Sequence, residues 1–277
     1  MGAGARIVDW DDAYANASHI PGGDSFPARW TAEAAAFRAG MGGRLREGLA
    51  YGGHARQRFD LFLPEGTPAG LVVFVHGGYW RAFDRGEWSH LAAGPLARGW
   101  AVAIPGYVLA PEARIADITA MIREATAAAA GEVQGPIRLA GHSAGGHLVA
   151  RQLCADSRLP EAVLARIERV VPISALADLR PLLRLELNRT LRLDLPAARS
   201  ESPALADVRA PVPVHVWVGA EERPEFVRQS ELLANAWTGL GVDMGLTIEP
   251  GRHHFNVIDG LRDPGSDLVE AVVGTLR

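Results

Sequence analysis

The chain has 277 residues, 48% of them hydrophobic and 22% charged, which suits a sizeable core and excludes a disordered, collagenous or coiled-coil chain. Its net charge of −4 leaves no cationic footprint for nucleic acid or an anionic membrane surface. One cysteine, Cys154, excludes an intramolecular disulfide and a multi-thiolate metal site, and all 28 basic residues are arginine, which excludes lysine Schiff-base chemistry.

Residues 1–16 carry early acidic groups and no hydrophobic run, so no signal peptide is expected, and no apolar run reaches the roughly 18–20 residues of a membrane span. A cytoplasmic location is the expectation, in keeping with the single cysteine. From about residue 44, strand-like and helix-like segments alternate. Residues 58–63 (RFDLFL) alternate in period two, as a half-exposed antiparallel edge strand would. Leu71–Val75 (LVVFV) is a continuous apolar run suited to a strand buried on both faces, 100–104, 137–140, 170–173 and 212–218 are similar, and 245–248 is the last strand-like segment. Helical patterns cover 84–98, 115–130, 144–155, 225–240 and 267–276. This alternation predicts an α/β fold, a mostly parallel sheet flanked by helices, with its site at the carboxyl ends of the strands. No repeat or linker marks a boundary, so residues 1–277 are read as one domain. Residues 174–210 break the rhythm and are read as a small helical cap above the sheet.

Three motifs carry chemistry. Gly141-His142-Ser143-Ala144-Gly145 is a Gly-x-Ser-x-Gly sequence between a strand pattern and a helix pattern. A serine on that strained turn needs small neighbours, and the helix N-terminus aims free N–H groups at developing negative charge. His76-Gly77-Gly78-Tyr79-Trp80 directly follows a buried strand pattern, where glycines let the backbone present amides to an oxyanion. The donors expected are the amides of Gly78, Tyr79 and Ala144, with His76 ordering the loop. His76, Gly77 and Trp80 are read as substrate-binding neighbours.

A base is needed, and nine histidines are available. His142 and His147 flank the serine, where local geometry turns them away from its oxygen. His19, His54 and His90 read as surface or packing residues, and His215 as a core histidine within a strand. That leaves His253 and His254, in the loop after the last strand, with His254 preferred. The acid is expected after the penultimate strand, where Glu221 and Glu222 stand, with Glu222 preferred. No partner ligands accompany the paired histidines, so neither a metal nor an organic cofactor is expected.

These residues resemble an α/β-hydrolase of the kynurenine formamidase (arylformamidase) group, close to the hormone-sensitive-lipase-like esterases. HGGYW (76–80), Gly106-Tyr-Val-Leu-Ala-Pro-Glu112, GHSAGGHL (141–148), Glu222 with Pro224-Glu-Phe226 and Gln229, His254-Phe255 and Tyr14-Ala-Asn16 carry the resemblance across most of the chain. It implies that His254, directly before phenylalanine, is the base. The group's acid is usually aspartate, whereas this chain has Glu222. The resemblance implies hydrolysis of an aryl formamide, N-formylkynurenine being the natural candidate, by Ser143, His254 and Glu222. The alternatives are a short-chain carboxylesterase and a non-catalytic member of the fold. The expected partner is a small ester or amide, not nucleic acid or membrane, and the oligomeric state is left open, a homodimer being one option. The rings of Tyr79 and Trp80 are expected to crowd the acyl site, and Arg184 or Arg189 of the cap to offer a hold for a substrate carboxylate.

Overall fold

A computed structural model describes residues 6–274. Its strands, in chain order, are β1 Leu45–Ala50, β2 Arg58–Phe62, β3 Leu71–Val75, β4 Ala101–Pro105, β5 Ile137–His142, β6 Ile167–Ile173, β7 Val214–Gly219 and β8 Met244–Glu249. They form one eight-stranded sheet in the order β1-β2-β4-β3-β5-β6-β7-β8. The pairs β1–β2 and β2–β4 are antiparallel and the remainder parallel. The helices are α1 Trp10–Tyr14, α2 Phe26–Met41, α3 Ala93–Ala97, α4 Ile115–Glu132, α5 Ala144–Arg151, α6 Glu161–Leu164, α7 Asn188–Leu191, α8 Leu195–Ser200, α9 Pro224–Thr238 and α10 Asp267–Val273.

All five residues of β3 are buried because both faces of the sheet are covered. Successive side chains of a strand point to opposite faces, and the core divides accordingly. Leu71, Val73 and Val75 join the cluster containing Ile118 and Ile122 of α4, Leu148 of α5 and Phe226 of α9. Val72 and Phe74 join the cluster containing Trp30 of α2, Trp88, and Leu268 and Val272 of α10.

Several expectations need correction. The period-two segment is β2, and it is an interior strand, not an edge. Its apparent solvent face carries Asp60, which is 1% exposed. That carboxylate accepts from Arg38 of α2 (2.7 Å), Arg85 Nε (3.0 Å) and the Gly48 amide (2.8 Å), so the polar position is covered instead of solvated. The pattern at 84–98 resolves into a 3₁₀ segment, Arg85–Ala92, followed by α3. The helix after Ser143 ends at Arg151, and the expected end of the last helix at Leu276 lies outside the described residues. Residues 174–210 contain α7, α8 and 3₁₀ turns, and only an isolated bridge, Cys154 to Val208, touches the strand pattern.

Candidate active site

Four loops converge at the carboxyl ends of parallel strands, where an open α/β sheet has its crevice. Ser143 follows β5 with φ 55° and ψ −116°, a left-handed conformation unusual for a residue with a side chain. The turn is possible because the residues two positions before and after it, Gly141 and Gly145, lack Cβ atoms. A Cβ on Gly141 would sit 2.3 Å from the Gly145 carbonyl oxygen, and one on Gly145 would sit 2.0 Å from that of Val75. The strain lifts Ser143 to the wall of a cavity of about 520 Å³ that His254, Gly78 and Tyr79 also line.

The loop after β3 lies directly against the serine. A Cβ on Gly77 would come within 3.1 Å of Ser143 Cβ, and Gly78 takes φ 106°. Among the described residues the amides of Gly78, Tyr79 and Ala144 are not used in backbone hydrogen bonds. His76 orders this loop from beneath. Its ring stacks on Tyr107 at 4.4 Å, its Nδ1 lies 2.7 Å from the Gly77 carbonyl oxygen, and the Tyr107 hydroxyl donates to the His76 carbonyl. Burial lowers the His76 pKa to about 4, so the ring is neutral.

His254 follows β8, and its Nδ1 lies 2.6 Å from Glu222 Oε2. Glu222 follows β7, and its other oxygen accepts from Ser174 Oγ (2.5 Å) and the Gly219 amide (2.9 Å), so both carboxylate oxygens are engaged. The two loops are joined by the Glu221 amide donating to the Arg252 carbonyl. Glu221 itself is exposed. The neighbouring His253 turns the other way. Its Nδ1 accepts from the amides of Phe255 and Asn256, and its ring meets Phe26.

The three expected substrate neighbours do not line the cavity. Trp80 is fully buried, edge-on to His147 at 5.1 Å, and with His76 it belongs under the loop instead of on the cavity wall. Gly77 also contacts the serine without lining the cavity. Tyr79 and Trp80 both take positive φ in the turn after β3, where Tyr79 lines the cavity and the Trp80 ring lies in the core. Arg184 stacks over Trp10 and Arg189 pairs with Glu186, and neither lines the cavity. The arginine that does is Arg81, next in sequence to the HGGYW motif. His142, expected to point away, lines the cavity with its ring 4.6 Å from that of His254. Burial, then the neighbouring His254, depresses its pKa well below the usual histidine value.

Sequence reasoning also missed the contribution of the opening segment. Tyr14, Asn16 and Trp30 form one wall, and Leu185 and Leu187 of the 174–210 segment form another. Tyr14 is fixed by three contacts. It donates to Glu225 (2.8 Å), its hydroxyl accepts from Gln229 (3.0 Å), and its carbonyl accepts from the Tyr79 hydroxyl (2.7 Å). Gln229 also accepts from the amides of Ala177 and Asp178, so one side chain joins α9, the opening segment and the start of the 174–210 segment. The only available signal was the group resemblance at Tyr14, Asn16, Glu225 and Gln229. Among the described residues no cluster of three potential metal ligands is present, and none of the helices is long and apolar enough to cross a membrane.

Comparison with known proteins agrees with this architecture. The profile of the alpha/beta hydrolase family matches residues 72–271. The chain is 30% identical over 241 residues to a protein named kynurenine formamidase from Drosophila melanogaster, covering 78% of this chain and 77% of that one. It is 28% identical over 224 residues to the Danio rerio protein of the same name, covering 78% and 76%. A crystal structure from Silicibacter sp. TM1040, provisionally described as a thioesterase, is 55% identical with a TM-score of 0.92, covering 95% of this chain and 98% of that one. With more than half its length matched by the family profile, the chain is a hydrolase enzyme that belongs to the alpha/beta hydrolase family.

Proposed function

We propose that the protein cleaves an aryl formamide through a Ser143-His254-Glu222 triad and an acyl-enzyme intermediate. The observation carrying this reading is the 2.6 Å contact of His254 Nδ1 with the enclosed Glu222 carboxylate, in a cavity that the strained Ser143 also lines. With Nδ1–H given to Glu222, His254 presents Nε2 as the base. Ser143 Oγ attacks the formyl carbon as its proton passes to Nε2. The amides of Gly78, Tyr79 and Ala144 hold the oxyanion. Collapse breaks the C–N bond, the amine nitrogen takes the proton from His254, and water then attacks the formyl ester by the same route. These groups suffice for acyl transfer, so the mechanism calls on no metal or organic cofactor.

The kynurenine formamidase relatives support a formamide, and Arg81, which forms no ion pair among the described residues, suits an anionic tail on the leaving group. We read the chain as one domain, with residues 174–210 as the cap that narrows the cavity through Leu185 and Leu187. A second reading, a short-chain ester or thioester hydrolase, is favoured by the description of the 55% identical structure. The deciding experiment measures kcat/KM on N-formylkynurenine, nitrophenyl esters from acetate to decanoate and an acetyl thioester. We expect the formamide to be turned over best, and esters to decline gradually beyond about four carbons, since single methylenes are worth only roughly 1–3 kcal/mol. A maximum at eight carbons or longer refutes the small acyl site. Ester or thioester turnover without formamide turnover establishes the second reading.

A further inference from the structure

One polar side chain in the cavity has no part in the chemistry above. Asn16 lines the cavity and is 8% exposed, and its Oδ1 is buried with no hydrogen-bond partner. A buried acceptor left unpaired is unfavourable, and native proteins rarely keep one without a use. Its neighbours hold it in place. The Asn16 carbonyl accepts from the His19 amide, and the carbonyl two residues earlier accepts from the hydroxyl of Tyr79, itself part of the oxyanion loop. Away from Ser143, the other side-chain oxygens of the wall are engaged, Tyr14 and Tyr79 by the bonds already described, Asp11 by the Glu186 amide and Glu186 by Arg189, while the indole N–H groups of Trp30 and Trp88 and the ring nitrogens of His142 have no partner. The cavity that Ser143 lines thus also presents a fixed, unsatisfied acceptor.

We propose that Asn16 Oδ1 accepts the N–H of the scissile amide, and so selects an aryl amide over the ester with the same acyl and aryl groups. This rests on the formamide reading above and assigns the residue that enforces it. In the amide the atom bonded to the acyl carbon carries a hydrogen. In the ester the same position carries only lone pairs, which would face those of Oδ1. When the C–N bond breaks, the nitrogen keeps that hydrogen and takes a second proton from His254, leaving as the arylamine.

The test compares kcat/KM for formanilide with that for phenyl formate in wild type and in Asn16→Ala. The amide-to-ester ratio is expected to fall about tenfold or more in the variant, as for loss of a buried hydrogen bond. Asn16→Asp, which keeps an acceptor oxygen at that place, is expected to retain more of the ratio than Asn16→Ala. Ester turnover reports folding of each variant, and Asn16→Leu, which keeps the volume, replaces Asn16→Ala if the latter does not fold. A ratio unchanged within twofold, with wild type active on both substrates, overturns the role of Asn16 alone. A wild type that hydrolyses the ester and no amide overturns the formamide reading and this inference together.

Discussion

His254 is held from three sides, by the Glu222 carboxylate at Nδ1, the Phe226 ring at 4.3 Å and the His142 ring at 4.6 Å. The depressed pKa of His142 keeps that neighbour neutral, so no second positive charge opposes an imidazolium at His254. His253 has already committed its Nδ1 to two backbone amides, and Glu221 faces solvent. Kinetics of single variants should separate each pair. If Ser143, His254 and Glu222 form the proposed triad, Ser143→Ala and His254→Ala should each lower kcat by on the order of 10³-fold or more, because such residues work as a unit. Glu222→Gln should also be damaging, since it removes the charge that steadies the imidazolium. His253→Ala and Glu221→Gln should be mild. If the mild member of either pair proves severe, the assignment within that pair is wrong. Cys154 offers no competing nucleophile, since burial pushes its thiol up to about 11.

At the scale of elements, α2 depends on β2. Arg38 reaches from the helix to the buried Asp60, and Arg85 grips the same carboxylate from the segment after β3. Asp60→Ala would take the shared carboxylate from two half-buried guanidiniums, of which Arg38 keeps Glu47 and Arg85 keeps Asp84. The cost should therefore fall toward the lower end of the about 3–5 kcal/mol that breaking a buried pair carries. The urea midpoint should drop accordingly while the m-value stays unchanged, which places the loss in the folded state. A drop under about 1 kcal/mol would show that solvent replaces the carboxylate easily. Helix α2 was absent from the sequence reading because FPARWTAEAAAFRAGM is rich in alanine and carries charges between its large apolar residues. Phe26, Trp30, Ala34 and Met41 are buried, a stripe recognisable once the strand they cover is known.

For the whole molecule, the buried histidines make stability depend on pH. Burial lowers His76 and His90 to about 4 and His147 to about 3, from an ordinary value of 6.5. The unfolded chain therefore binds these protons at a higher pH than the native protein does. Their contribution is complete above pH 6.5 and is lost progressively as pH falls toward 4. Each adds a slope of about 1.4 kcal/mol per pH unit within that window, so the three together approach about 4 kcal/mol per unit. Urea unfolding at pH 7, 6 and 5 measures this directly, with proton uptake on unfolding as a second readout. Stability that is flat between pH 6.5 and 5 would mean that these rings are protonated in the native protein too.

The run Leu71–Val75, the Gly-x-Ser-x-Gly turn and the alternation of strands with helices were legible because each is written in consecutive residues. A buried strand needs an unbroken apolar run, and a strained serine turn needs glycines on both sides. The residues in the loops after the last two strands were legible for the same reason, since their place in chain order limits what they can reach. Folding alone decided the rest. Trp80 and Tyr79 are adjacent in sequence, yet the Trp80 ring lies in the core and Tyr79 lines the cavity. Asp60 reads as solvent-facing until a helix from residues 26–41 supplies its arginine. Asn16 and Arg81 reach the cavity with Ser143 only because loops distant in the chain close around it, and no local pattern encodes that meeting.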